Sequence, residues 1–210
     1  MTPIRVGVLA SGRGSNLQAI IDAIETKTLD AAIAVVVSNR QDAVALERAQ
    51  QQGIPGIFLD PKSVAEELEP RKAYDQKILE VLKAHDVQLV LLAGYMKIVT
   101  SVLIEAYQGR MLNIHPSLLP SFPGLGAQKQ ALHAGVKVSG CTVHFVTEGV
   151  DEGPIILQAA VSVNEDDTVD SLAARILDQE HRLFPRAIQL FAEGRLCVED
   201  RKTKILETAP

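Results

Sequence analysis

Four short and almost uninterrupted apolar runs, at 6–10 (VGVLA), 31–38 (AAIAVVVS), 54–59 and 87–93 (VQLVLLA), alternate with segments whose apolar residues return at helical spacing. Leu17, Ile20, Ile21 and Ile24 follow the first run. A second helix is expected over 43–52, where Gly53 ends it, and a third over 70–85, with Tyr74, Ile78, Leu79 and Leu82 on one face and Pro70 suited to a first turn. Strands that are apolar on both faces, separated by helices, have to be covered on both sides. The chain therefore reads as an α/β protein built on a doubly wound, Rossmann-like, mostly parallel sheet.

From Met111 the texture changes. A strand through Asn113 leads into a proline-rich loop over 116–124, a helix near 128–134, and two longer strands at 139–147 and 154–163. The link between those strands (EGVDEG) is short and turn-like, which predicts an antiparallel hairpin. A long amphipathic helix is expected over 168–193, capped by Asp167 or Thr168 and bent near Pro185.

Composition narrows the function classes. A chain of 210 residues buries roughly 70% of its unfolded surface, enough to fold alone. The net charge of −5 gives no reason to expect a nucleic-acid partner, and the one dense basic run, Arg201-Lys202-Thr203-Lys204, reads as a solvated tail. No apolar stretch reaches membrane-spanning length, and no signal-peptide pattern stands at the start, so a cytoplasmic location is expected. Cys141 and Cys197 lie far apart with no zinc-ligand spacing and read as reduced thiols. No metal is expected.

Two segments carry chemistry. After the first strand, Ser11-Gly12-Arg13-Gly14-Ser15-Asn16 is a glycine turn opening a helix. Backbone N–H groups and the helix dipole favour an anion there, most naturally a phosphate. The turn lacks a third glycine at Leu17 and a Walker lysine, so neither a dinucleotide fingerprint nor a P-loop is present. In Asn113-Ile114-His115-Pro116, residues two apart on a strand share a face, so an amide and an imidazole point the same way until Pro116 stops the strand. Such a pair suits stabilisation of an oxyanion in acyl transfer. A carboxylate beside the imidazole would raise its pKa and orient it. Asp151 is the candidate, with Glu152 its nearest competitor. His144 reads as a buried structural or supporting group, while His85, His133 and His181 read as structural or surface residues.

These segments resemble, in order, three motifs of the folate-dependent phosphoribosylglycinamide formyltransferase family. They are Ala10-Ser11-Gly12-Arg13-Gly14-Ser15-Asn16-Leu17-Gln18, Leu112-Asn113-Ile114-His115-Pro116-Ser117-Leu118-Leu119-Pro120, and Asp151-Glu152-Gly153-Pro154. The resemblance implies that 10-formyltetrahydrofolate, as co-substrate, formylates the amine of 5'-phosphoribosylglycinamide (GAR) in purine biosynthesis, with Asn113, His115 and Asp151 catalytic. It further implies substrate phosphate on Gly14, Ser15 and Asn16, and Glu180 on the ribose or glycinamide. Folate would lie against Met96, Lys97, Ile98 and Val99 and along Thr147, Glu148, Gly149 and Val150, with Arg71 near the glutamate tail. One formyltransferase domain over 1–207 is implied, with a phosphate-binding half (1–110), a catalytic and folate-binding half (111–207) and a tail (208–210), as a monomer or homodimer.

Where many relatives place histidines after Phe122-Pro123-Gly124, this chain has Leu125-Gly126-Ala127-Gln128-Lys129-Gln130, so any auxiliary role is absent or passes to Gln128. Within the same fold, formyltetrahydrofolate hydrolase would carry an added regulatory domain and methionyl-transfer-RNA formyltransferase a basic RNA-binding one. A non-catalytic phosphometabolite sensor is the alternative from another class.

Overall fold

The computed structural model describes residues 2–207, so the expected tail at 208–210 lies outside the described residues. The chain divides into two compact units, Met1–Leu112 and Asn113–Pro210.

In the first unit, β1 (Ile4–Ala10), β2 (Ala31–Ser38), β3 (Gly56–Phe58) and β4 (Leu89–Leu92) stand in the order β3-β2-β1-β4. The pairs β1–β2, β1–β4 and β2–β3 are all parallel. Helices α1 (Ser15–Glu25), α2 (Val44–Gln51) and α3 (Pro70–Ala84) connect them. Val6, Val8, Leu9, Val35, Val36, Val37 and β4 are buried, as strands covered on both faces require. The third strand is shorter than its apolar run because Ile54 and Pro55 enter as loop. Two elements are additions to the sequence reading: a 3-10 turn at Pro61–Val64 and α4 (Ser101–Ala106). Both are too short for a periodic pattern.

The second unit runs β5 (Met111–His115), α5 (Ala127–Ala134), β6 (Val138–Phe145), β7 (Ile155–Ser162), α6 (Val169–Ala192), β8 (Leu196–Glu199) and β9 (Lys202–Ile205). Its strands stand in the order β5-β6-β7-β9-β8. The hairpin β6–β7 is antiparallel, as the turn-like link predicts, with a bulge where register shifts between Val143 and His144. Helix α6 packs on β6 and β7 through Leu172, Ile176, Phe184 and Ile188. Thr168 is its cap, accepting from the Ser171 N–H while the Ser171 hydroxyl accepts from the Thr168 N–H, and the helix continues through Pro185. The reading of 201–204 as a solvated tail is corrected. Lys202–Ile205 pairs antiparallel with β8 and parallel with β7, and Lys204 Nζ meets Glu199 Oε2 at 2.5 Å. Exposed lysines alternating with Thr203 and Ile205 hide this strand, which lies between β7 and the edge strand β8, in a charge count.

Candidate active site

In the first unit, two loops leave the C-terminal ends of parallel strands, where ligand crevices form in open α/β sheets. The turn after β1 enters α1 through Gly14, whose φ of 67° is left-handed. A Cβ on Gly14 would also sit 2.8 Å from the Ala45 backbone, so glycine is required twice over. No side chain caps α1 and no acidic residue stands in its first turn, which leaves the positive helix end available to an anion. Arg48 fastens the turn, Nε donating to the Arg13 carbonyl at 3.0 Å.

The loop between β4 and α4 presents Met96 and Ile98, residues 62% and 58% exposed, which rules out ordinary core for both. Val99 is buried. An open cleft of about 340 Å³ is lined by Pro61, Pro70, Arg71, Tyr74, Asp75, Met96, Lys97 and Ile98. Lys97 lies 5.6 Å from the Tyr74 ring centroid, over its face. Apolar loop side chains beside two cations form a surface for a flat apolar group with an anionic end. Sequence reading did not identify what holds this loop. Buried Asp75, on α3, accepts both the Thr100 N–H (2.5 Å) and its hydroxyl (2.8 Å). Burial pushes the Asp75 carboxyl upward against those two donors and the charges of Lys97 and Arg71.

The second unit brings Asn113, His115 and Asp151 together. Asp151 sits in the β6–β7 link with φ 56°, a left-handed conformation that aspartate tolerates better than most residues. At Gly153 an added Cβ would run into the Phe145 carbonyl, so only glycine lets the returning strand close this tightly. Asp151 Oδ2 accepts the Gly124 N–H at 2.8 Å and lies 3.3 Å from His115 Nδ1. Oδ1 accepts from Asn113 Nδ2 at 3.4 Å and lies 3.6 Å from His144 Nε2. The competitor Glu152 folds its carboxylate over Gly149 instead.

His144, the bulged residue of β6, completes the cluster. Its Nδ1 is 2.8 Å from the Phe145 carbonyl, an obligate acceptor, so Nδ1 carries the proton and Nε2 accepts from Asn113 Nδ2 at 3.1 Å. His115 Nε2 likewise donates to the Phe122 carbonyl at 2.9 Å. The proline-rich loop bearing Phe122 is tied to β6 and β7. Thr142 Oγ1 donates to the Ser117 carbonyl at 2.6 Å and accepts the Leu119 N–H at 3.0 Å, while Gln158 Nε2 donates to the Leu119 carbonyl at 3.0 Å. Gln130, rather than Gln128, closes the following turn by donating to the Pro123 and Leu125 carbonyls.

The carboxylate's expected effect on the imidazole is present but does not prevail. Asp151 and the Phe122 carbonyl both raise the His115 pKa, but burial outweighs them and the imidazole titrates below its ordinary value. Asp151 behaves oppositely. Burial alone would raise it, yet the His144 imidazole when protonated, the Gly124 N–H and the charge of protonated His115 together hold it below the usual carboxylate range. The pair at rest is a firm carboxylate facing an imidazole that gives up its proton readily.

The remaining sites differ in exposure. Thr147, Glu148 and Val150 are exposed on the β6–β7 link. Glu180 is buried on α6 near Cys141, whose thiol burial and that negative charge push up to about 12. Among the described residues no cluster of His, Cys, Asp or Glu could hold a metal ion, and no helix is long and apolar enough to cross a membrane.

Comparison with known proteins agrees with these motifs. The formyl transferase family profile matches residues 4–188. The chain is 44% identical over 185 residues to phosphoribosylglycinamide formyltransferase of Bacillus subtilis (strain 168), covering 88% of this chain and 93% of that protein. It is 49% identical over 192 residues to the trifunctional purine biosynthetic protein adenosine-3 of Drosophila melanogaster, covering 90% of this chain but only 14% of that longer protein. The crystal structure of glycinamide ribonucleotide transformylase 1 from Symbiobacterium toebii superposes with a TM-score of 0.93 at 54% identity, covering 98% of this chain and 95% of that one. With its glycine turn, its Asn-x-His strand end and its carboxylate at 151, the chain belongs to the formyl transferase family.

Proposed function

We propose that the protein transfers the formyl group of 10-formyltetrahydrofolate to the amine of GAR, giving formyl-GAR and tetrahydrofolate. The observation that carries this reading is the Asp151 carboxylate held between Asn113 and the imidazoles of His115 and His144. The first turn of α1 at Gly14, Ser15 and Asn16 receives the substrate phosphate, and Glu180 contacts the ribose or glycinamide. The folate takes the Met96, Lys97, Ile98 and Val99 loop, with Arg71 at its acidic tail and Thr147, Glu148, Gly149 and Val150 along its ring system.

The amine of GAR forms a bond to the formyl carbon, the bond from that carbon to the folate nitrogen breaks, and the amine proton ends on the released folate nitrogen. Asn113 Nδ2, on releasing its long 3.4 Å bond to Asp151 Oδ1, and a His115 N–H donate to the formyl oxygen as it gains charge. His115 is free to do so once it gives up the Phe122 carbonyl. The growing negative charge then restores the proton affinity that burial removes. Asp151, ionised at the start, accepts the amine proton directly or through one water and passes it to the released folate nitrogen, which leaves the carboxylate ionised again. No covalent enzyme intermediate is needed.

The test mixes purified protein with 10-formyltetrahydrofolate, with and without GAR, and follows tetrahydrofolate release. Release that requires GAR is the expected result. Release without GAR would mark a hydrolase, and none in either case a sensor.

A further inference from the structure

Ser11 directly follows β1 and is 4% exposed. Its hydroxyl donates to Asn39 Oδ1 at 2.6 Å and accepts the Met96 N–H at 2.8 Å. Its own N–H donates to the Gly94 carbonyl at 3.1 Å. One side chain thus joins the ends of three parallel strands: β1, β2 through Asn39, and β4 through Met96. Ser11 precedes Gly12, whose carbonyl accepts the Ala45 N–H at 3.1 Å, so the turn entering α1 is continuous with this junction. Met96 lies in the loop between β4 and α4 that exposes its own side chain and that of Ile98.

The hydroxyl has one proton, and Asn39 takes it. That fixes the oxygen lone pairs toward Met96, so Asn39 orients the bond by which Ser11 holds the second loop.

We infer that Ser11, oriented by Asn39, is a positioning residue that couples the glycine turn to the Met96 loop, so that GAR and the folate each bind more tightly when the other is present. The inference rests on the reading above of which ligand each loop takes. A ligand that orders one loop restricts the other through the shared hydroxyl, and the second ligand then loses less conformational entropy on binding.

Tetrahydrofolate and GAR cannot react with each other, because neither carries a formyl group, so they can be titrated together. Calorimetry gives the GAR dissociation constant with and without saturating tetrahydrofolate. In the unaltered protein tetrahydrofolate tightens GAR binding by about fivefold or more. In Ser11→Ala and Asn39→Ala that ratio falls to about one, because the linkage has lost its carrier. A purely structural role would weaken each ligand separately and leave the ratio intact. A ratio near one in the unaltered protein, or an unchanged ratio in the variants, overturns the coupling while both ligands still bind and the functional reading stands. Failure of either ligand to bind the unaltered protein overturns the functional reading, and the coupling with it. Asn39 is partly exposed, so Asn39→Ala carries the test alone if Ser11→Ala does not fold.

Discussion

Asp151 Oδ2 lies 3.3 Å from His115 Nδ1, yet the carboxylate does not keep the imidazole charged. A partner at that distance in a dry site contributes less than the water it replaces. His115 is therefore a group whose proton affinity depends on what enters the site.

Removing either oxyanion donor is the most direct check. Asn113→Ala and His115→Ala should each lower kcat by roughly 100- to 1,000-fold, as loss of one such donor does elsewhere. Near-normal turnover in both would end the assignment.

Asp151→Asn keeps the shape and removes the charge. Because that charge raises the His115 pKa, its loss lowers the pKa further. Activity should drop at least about tenfold at neutral pH, and the remainder should rise toward acid pH as more of the imidazole is protonated. A flat profile for kcat/KM in the variant would contradict the sign.

Stability should carry the same signature. The folded-state pKa of His115 lies below its unfolded value, so the unfolded chain binds the proton first. The contribution of His115 is thus fully present above its ordinary pKa near 6.5 and is lost as pH falls through the lower folded value. Denaturant unfolding across that window should show a shallower acid-side loss in His115→Gln than in the unaltered protein. Parallel curves would sink the prediction.

Gly14→Ala forces a side chain into φ 67° against Ala45. A stability loss of about 1–3 kcal/mol is expected, together with a higher KM for GAR and little change for the folate. Thermal unfolding and steady-state kinetics separate the two effects.

Asp75 allows charge to be separated from anchoring. Asp75→Ala leaves the Thr100 N–H and hydroxyl without their acceptor and should cost about 1–3 kcal/mol and raise KM for the folate. Asp75→Asn retains an accepting oxygen and removes a charge that burial disfavours, so its stability at neutral pH should equal or exceed the original. An Asn variant as unstable as the Ala variant would show that the charge itself holds the loop.

Local pattern made much of the fold legible. The run at 31–38 matches β2 residue for residue because a strand buried on both faces needs an unbroken apolar stretch. The proline at 70 and the apolar spacing after it mark α3 for the same kind of reason. Helix α4, six residues with Leu103 alone buried, has no period to detect, and β8 and β9 hide among charges at a sheet edge. Asn113 and His115 were readable as a pair because alternation along a strand is a property of the chain itself. Asp75, Ser11 and Asn39 were not, since each matters through a partner at least 25 residues away.

The sequence by itself determined the alternating α/β architecture, the glycine entry to the first helix, and an amide and imidazole facing one way. These depend on periods and dihedral preferences expressed within a few residues. Only the tertiary structure decided that Asp151 rather than its neighbour Glu152 meets His115, that His144 supports Asn113, and that burial outweighs the carboxylate's charge. Those outcomes depend on a bulge, a left-handed turn and the exclusion of water, which arise only when segments some 30–40 residues apart are packed together.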